Sequence, residues 1–304
     1  IENSGIVIAK KDLTLKSTNG DIINNSNISA GQNATIEGNS FKNKALTAGG
    51  DLTAKVHGIF NSESLTVGKN ATIDANTVNI KKDLSVGENT QVNLGGANAS
   101  LKLESGSKGN LKMDLTVKGG EFTNQGELVV GGKATIDTSS NTSTLTSSDK
   151  KSFTNEGKFD VTGDLDIKSE GFKNIDGINT GGNISIDAGS GKFENANKLQ
   201  AKGNGSFTSQ GFVNNNEIVL GGKATINAGS GDVENKSFEA KDDITITTTG
   251  NVKNTQKLNT SGKLNITGKN FENASGAEVV NKGTDITVTE GIKNEGNIEV
   301  TGDI

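Results

Sequence analysis

One pattern, written again and again at a nearly fixed period, constrains this chain more than any other feature. Between Phe212 and Gly250 it appears twice in full. An apolar residue stands two before an Asn, as in Phe212-x-Asn214 and Val233-x-Asn235. A short alternating run follows (Ile218-Val219-Leu220; Phe238-Glu239-Ala240), then a turn, then a second run (Ala224-Thr225-Ile226; Ile244-Thr245-Ile246). Self-similarity of this length is the mark of a solenoid.

The apolar residue before the Asn serves as an anchor. The anchors are Ile1, Ile22, Phe41, Ile59, Ile80, Leu101, Phe122, Phe153, Phe172, Phe193, Phe212, Val233, Val252, Phe271 and Ile292, which makes 15 units. Thirteen of the 14 gaps lie between 18 and 21 residues, and one is 31. Thirteen units carry Asn two after the anchor: Asn3, Asn24, Asn43, Asn61, Asn124, Asn155, Asn174, Asn195, Asn214, Asn235, Asn254, Asn273 and Asn294. Lys82 and Leu103 stand there in the other two. The runs alternate apolar and polar, as in Leu65-Thr-Val67 and Ala134-Thr-Ile136, which is the period of a strand with one face on a core. Each is too short to stand alone. Glycine-containing turns such as Gly131-Gly132 and Gly163-Asp164 separate them, at positions where positive φ is cheap.

Three short strands and three corners in roughly 20 residues describe one coil of an all-β, right-handed parallel β-helix. About 15 such coils would make a monomeric rod on the order of 70 Å long. Residues 1–304 read as a single repeat segment. Ile1 is itself an anchor, and Ile304 opens a strand with no evident cap. The expectation is a piece cut from a longer array. Two stretches depart from the pattern. It weakens over 89–112, and the long gap inserts a Ser/Thr-rich segment over 137–152, expected to bulge from a corner.

Composition sharpens the reading. The chain is 30% hydrophobic with 41 Gly, which in a globular protein would point to disorder. A solenoid folds on a narrow inward column, so few apolar residues suffice when they are regularly placed. Every basic residue is Lys, the formal charge is -5, and charges are spread along the chain. Nucleic-acid binding, which needs a concentrated positive footprint, is not expected. Neither is membrane insertion, because no apolar stretch approaches a spanning length. With no Cys there is no disulfide framework and no thiolate metal site.

The repeated Asn is expected to be structural. It tolerates left-handed backbone at a corner, and its amide can bond to the equivalent Asn one coil away. The consecutive anchors Phe153, Phe172, Phe193 and Phe212 are expected to stack inside the rod.

The residues offer little chemistry. His57 is the one histidine, so a nucleophile–His site is not expected and a multi-His metal site cannot form. Polysaccharide hydrolases on parallel β-helices need clustered carboxylates. Here Asp164/Asp166 and Asp242/Asp243 lie coils apart. The Gly-Gly pairs are never followed by the G-x-D of calcium-binding rolls. An outward Thr column (Thr35, Thr53, Thr72, Thr116, Thr135, Thr225, Thr245, Thr287) is suggestive of ice binding, but Asp166, Ser185, Asn93 and Asn265 interrupt it. Neither an enzyme nor a cofactor is expected. A polysaccharide-degrading enzyme is the alternative, with ice binding behind it.

Units such as Phe122-Thr-Asn-Gln-Gly-Glu-Leu-Val-Val-Gly-Gly-Lys-Ala-Thr-Ile136 and Phe153-Thr-Asn-Glu-Gly-Lys-Phe-Asp-Val-Thr-Gly-Asp-Leu-Asp-Ile167 resemble the filamentous-haemagglutinin repeats of bacterial two-partner secretion exoproteins. The resemblance runs over essentially the whole chain. It implies the stalk of a secreted or surface-exposed adhesin, a haemolysin or a contact-dependent inhibition toxin. It also implies export through an outer-membrane β-barrel transporter, and a cell-surface receptor or glycan as the eventual partner. The family's secretion domain carries Asn-Pro motifs, and this chain has no Pro. Val233-Glu-Asn-Lys236 nearly matches the Val-Glu-Asn-Asn boundary of the inhibition toxins, but it coincides with a repeat anchor and reads as a corner.

Overall fold

Alternating residues with one apolar face must pair sideways to satisfy their backbones, and here each strand finds its partner about one repeat away. The computed structural model describes residues 1–96, 98–139 and 152–302, and all its regular elements are β-strands. They fall into two compact units, Ile1–Gly163 and Asp164–Ile304. Each is a stack of coils whose strands pair in parallel with the coils before and after, a β-solenoid.

In the first unit, Leu13 pairs with Ala34, Ala34 with Leu52, Leu52 with Ala71, and Ala71 with Thr90. In the second, Ile184 pairs with Gly205, Gly205 with Ala224, Ala224 with Ile244, and Ile244 with Leu264. The three short strands of a coil are separate in places, as at Phe193–Asn195, Leu199–Ala201 and Gly205–Thr208. Elsewhere the first two merge, as in Phe212–Leu220 and Val252–Thr260. The ladder register shifts inside these merged strands, between Asn214 and Glu217 for example, so the corner survives as an irregularity.

Inside, the core is a set of columns. All eleven Phe are buried. In the second unit, the rings of Phe172 and Phe193 stack at 4.9 Å, and those of Phe193 and Phe212 at 4.4 Å. In the first unit, Phe153 stacks on Phe122 at 5.1 Å with ring planes 2° apart.

The register corrects two anchors. Phe60, not Ile59, pairs with Phe41 and is buried, while Ile59 is 45% exposed. Val78 then pairs with Phe60, which puts Ile80, not an anchor, opposite Ser62. The phenyl ring buries more apolar area than the isoleucine side chain, and in a strand a one-residue slip turns every side chain over. Lys82 consequently lies outside, paired with Glu63 at 2.8 Å.

Residues 89–112 form ordinary strands, Thr90–Leu94, Ser100–Leu103 and Lys108–Leu111, each in register with both neighbours. Their corners use left-handed backbone at Gly96, Asn98 and Gly106. Of the insertion over 137–152, residues 140–151 lie outside the described residues. Asp137 still belongs to the ladder opposite Lys118, and Thr138 is buried, so the coil extends further than the sequence pattern implies.

Positive φ accounts for some turn glycines, Gly119 and Gly120 among them, but not for Gly131-Gly132 or Gly163. A methyl on Gly131 would overlap the carbonyl oxygen of Lys112 in the preceding coil. Close approach of one coil to the next excludes a side chain there. Gly131→Ala should therefore cost roughly 1–3 kcal/mol, the usual penalty of overpacking against rigid backbone. Urea unfolding of the two proteins measures it.

Candidate functional site

The residues singled out by the repeat converge on a buried spine rather than on a cleft. In the first unit, Asn3 Nδ2 donates to Asn24 Oδ1 at 2.5 Å, and Asn24 Nδ2 to Asn43 Oδ1 at 2.9 Å. The run then stops. Ser62, Ile80 and Leu103 occupy the next three inward positions, and Asn43 Nδ2 finds no acceptor. Asn61 is the exception among the repeated asparagines. It faces outward, opposite Lys42 and Asn79. The spine resumes where Asn124 Nδ2 donates to Asn155 Oδ1 at 2.9 Å.

In the second unit the spine is continuous from Asn174 to Asn294. Nδ2 of Asn174, Asn195, Asn214, Asn235, Asn254 and Asn273 each donates to the next Oδ1 at 2.8–2.9 Å. Several of these amides use their second hydrogen on a main-chain carbonyl of the same coil ahead. Asn214 reaches Ser237 O and Asn235 reaches Lys257 O, both at 2.7 Å. A buried corner thus needs two donors and an acceptor on one short planar group. Only an amide supplies them. The expected left-handed backbone plays no part, since Asn98 is the one non-glycine with positive φ among the described residues.

A second asparagine and aspartate column runs along the corner before the third strand. Asp12 Oδ1 accepts the main-chain N–H of Asn33 at 3.0 Å, and Asn33 Oδ1 that of Asp51 at 2.9 Å. Asp51 does the same for Asn70 at 3.1 Å, and Asp114 for Lys133 at 2.8 Å. In the second unit, Asp164 accepts from Asn183 at 2.7 Å and Asn204 from Lys223 at 2.8 Å. Sequence reasoning missed this column. Its signal was there, an Asx directly before the third strand in coil after coil, but Asp, Asn and Lys take turns in it.

The column takes up two of the candidate carboxylates, Asp164 and Asp243, while Asp166 lies in the outward strand column opposite Ser185. Asp164 is a corner acceptor. Asp242 Oδ1 accepts the N–H of Asp243, and Asp243 that of Lys263, both at 2.9 Å. Among the described residues, no group of three or more His, Asp or Glu could hold a metal ion. His57 is exposed, with Nδ1 3.3 Å from the carbonyl oxygen of Gly38.

The hydrogen bonds leave a mark on acidity. The main-chain N–H and side chain of Asn70 hold the Asp51 carboxyl below its ordinary range, and the N–H of Lys263 does so for Asp243. A carboxylate whose pKa is lowered by folding stabilises the fold above its unfolded pKa. That stability is lost as pH falls through the folded value, here below about pH 4. An amide accepts the same bonds without titrating. Asp51→Asn with Asp243→Asn should therefore lose less stability between neutral and acid pH than the parent. Melting temperatures across that range test it, and a steeper acid loss in the variant would refute it.

The outward Thr column is real in the first unit, where Thr14, Thr35, Thr53 and Thr72 are in register, then Gln91, Thr116 and Thr135. Thr287 and Asn93 do not belong to it. Thr287 pairs with Thr267, and Asn93 with Asp74. In the first unit the column two residues along is charged, with Lys16, Glu37, Lys55 and Asp74, whereas in the second unit it runs Thr208, Asn227, Thr247, Thr267 and Thr287 beside Ser206, Thr225, Thr245, Asn265 and Asp285.

Taken together, these features define a β-solenoid repeat protein with an amide spine. Residues 1–53 and 219–304 match the haemagglutinin repeat family. With the parallel solenoid, the match fits a filamentous haemagglutinin-like repeat region. No curated protein and no solved structure matches the chain. Proteins with this repeat are structural adhesins, surface-exposed or secreted, and are associated with two-partner secretion.

Proposed function

We propose that this chain is part of the shaft of a large bacterial surface adhesin, one segment of a longer array, exported through an outer-membrane β-barrel transporter. It is neither an enzyme nor a receptor-binding head. Its work is mechanical, to hold adhesive or toxic regions away from the cell. The observation that carries the reading is the division of labour between inside and outside. All eleven aromatic side chains are buried, so the outer surface has none of the rings that usually anchor a partner. An outer groove in the second unit, about 520 Å³, is open and lined by mixed residues such as Gln200, Val219, Glu239, Lys241 and Asn259.

Two measurements test the proposal. Incubation with acidic and neutral polysaccharides should release neither reducing ends nor unsaturated products. Replacing outward Lys and Asp residues on one face by Ser should leave adhesion of the displaying cell unchanged at equal amounts of folded, displayed protein. Loss of adhesion from a few such replacements would make that face a binding site and end the passive-shaft reading.

A further inference from the structure

Over runs of successive coils the interior repeats so closely that it discriminates weakly between one coil and the next, the break at Ser62, Ile80 and Leu103 aside. Asn235 would be as well placed under Asn273 as under Asn254, and Leu13 under Leu52 as under Ala34. A chain that paired coil one with coil three would have to loop out one repeat, and loop closure of that length is cheap. Something outside the core has to choose the register.

The outward charges carry the needed information. In the first unit, one column reads Lys16, Glu37, Lys55, Asp74 in successive coils, and further on Lys118 faces Asp137. A second column reads Asp83, Lys108, Glu127. In the second unit, Glu234, Lys253, Glu272 and Lys293 alternate in the same way, Lys168 faces Asp187, and Lys257 faces Glu278. Several are in contact, Lys16 with Glu37 at 2.6 Å and Lys253 with Glu272 at 3.3 Å. Where both residues are charged, neighbouring coils in these columns present opposite signs, and Asn93, Thr208 and Asn297 interrupt them.

Within the runs of three or more charges a slip of one coil reverses these encounters, while Lys168 would meet Thr208 and Lys257 would meet Asn297. Lys16 would face Lys55, Glu37 would face Asp74, Glu234 would face Glu272, and Lys253 would face Lys293. The separation would be one strand spacing, about 4.8 Å. Like charges directly opposite across strands are unfavourable, and opposite ones favourable. The alternation discriminates between registers while adding little to the stability of the correct one, because each pair is exposed.

We propose that the alternating-sign columns are a register code, which forces each coil onto its immediate neighbour during folding and rejects pairing with the next coil but one. The code also cancels itself along the axis, leaving the outside without a field of one sign.

The test uses refolding of the whole chain from denaturant. In a neutral variant, Lys16, Glu37, Lys55, Asp74, Glu234, Lys253, Glu272 and Lys293 become Gln. In an inverted variant, the same acids become Lys and the same lysines become Glu, which keeps the alternation. Yield is the fraction that regains the parent's cooperative melting transition and hydrogen-exchange protection. The inverted variant should match the parent. The neutral variant should lose about threefold or more in yield, while its correctly folded fraction melts close to the parent. An unchanged yield in the neutral variant overturns the proposal, as does an equal loss in the inverted one. If the neutral variant recovers nothing, the parent decides. At about 1 M salt, where screening acts over about 3 Å, its yield should fall relative to low salt. A yield that holds or rises contradicts the code.

Discussion

Phe193→Ala should lower the stability of the chain by about 3–5 kcal/mol, the cost of emptying a ring-sized site in a close-packed core. Phe193 is fully buried and lies between Phe172 at 4.9 Å and Phe212 at 4.4 Å, with Phe207 edge-on at 5.2 Å. The main chain on either side is held in the parallel ladder, so the walls cannot collapse into the void. Phe193→Leu, which keeps most of the volume, should cost less than half as much. Equilibrium unfolding in urea measures both. Equal losses in the two variants would show that ring stacking, and not volume, sets the energy.

Asn195→Ala is the second large effect, with an expected loss of about 1–3 kcal/mol. The alanine strands two buried partners. Asn174 Nδ2 loses its acceptor at 2.8 Å, and Asn214 Oδ1 loses the donor at 2.8 Å and keeps only the long bond from the Asn216 N–H at 3.4 Å. Asn195→Asp should be worse at neutral pH. It can still accept from Asn174, but it sets a carboxylate oxygen against Asn214 Oδ1 and buries a charge with no cation beside it. The sign of its pH dependence follows. Burial raises the pKa of such a group, so the aspartate variant should recover stability as pH falls and the carboxyl takes up a proton. A variant as stable as the parent at neutral pH would mean that the spine carries no energy.

How far the fold could be read from the residues is clear at particular positions. Phe-x-Asn marks the first strand of a coil because an inward ring and an inward amide two residues apart must share a face, and this held wherever both were present. It failed at Ile59-Phe-Asn-Ser62, where two apolar residues compete for one inward place. Bulk then settled the matter, against the asparagine. The corner column of Asp12, Asn33 and Asp51 escaped notice because either Asp or Asn can accept a main-chain N–H. A position with two interchangeable residue types looks like variation rather than repetition. The charge columns were hidden for another reason. Their alternation runs across coils of unequal length, so Lys16, Glu37 and Lys55 become neighbours only when the register is known.

The central claim is that inward amides and rings hold the coil together while outward residues do not. The most direct test is thermal unfolding of two triple variants that change neighbouring coils of the second unit. The inner one carries Asn195→Ala, Asn214→Ala and Asn235→Ala. The outer one carries Ser206→Ala, Thr225→Ser and Thr245→Ser, on the outward column of the third strand. The inner variant should melt at least about 5 °C below the parent, and the outer within about 2 °C of it. Equal losses, or a greater loss from the outer set, would contradict the account.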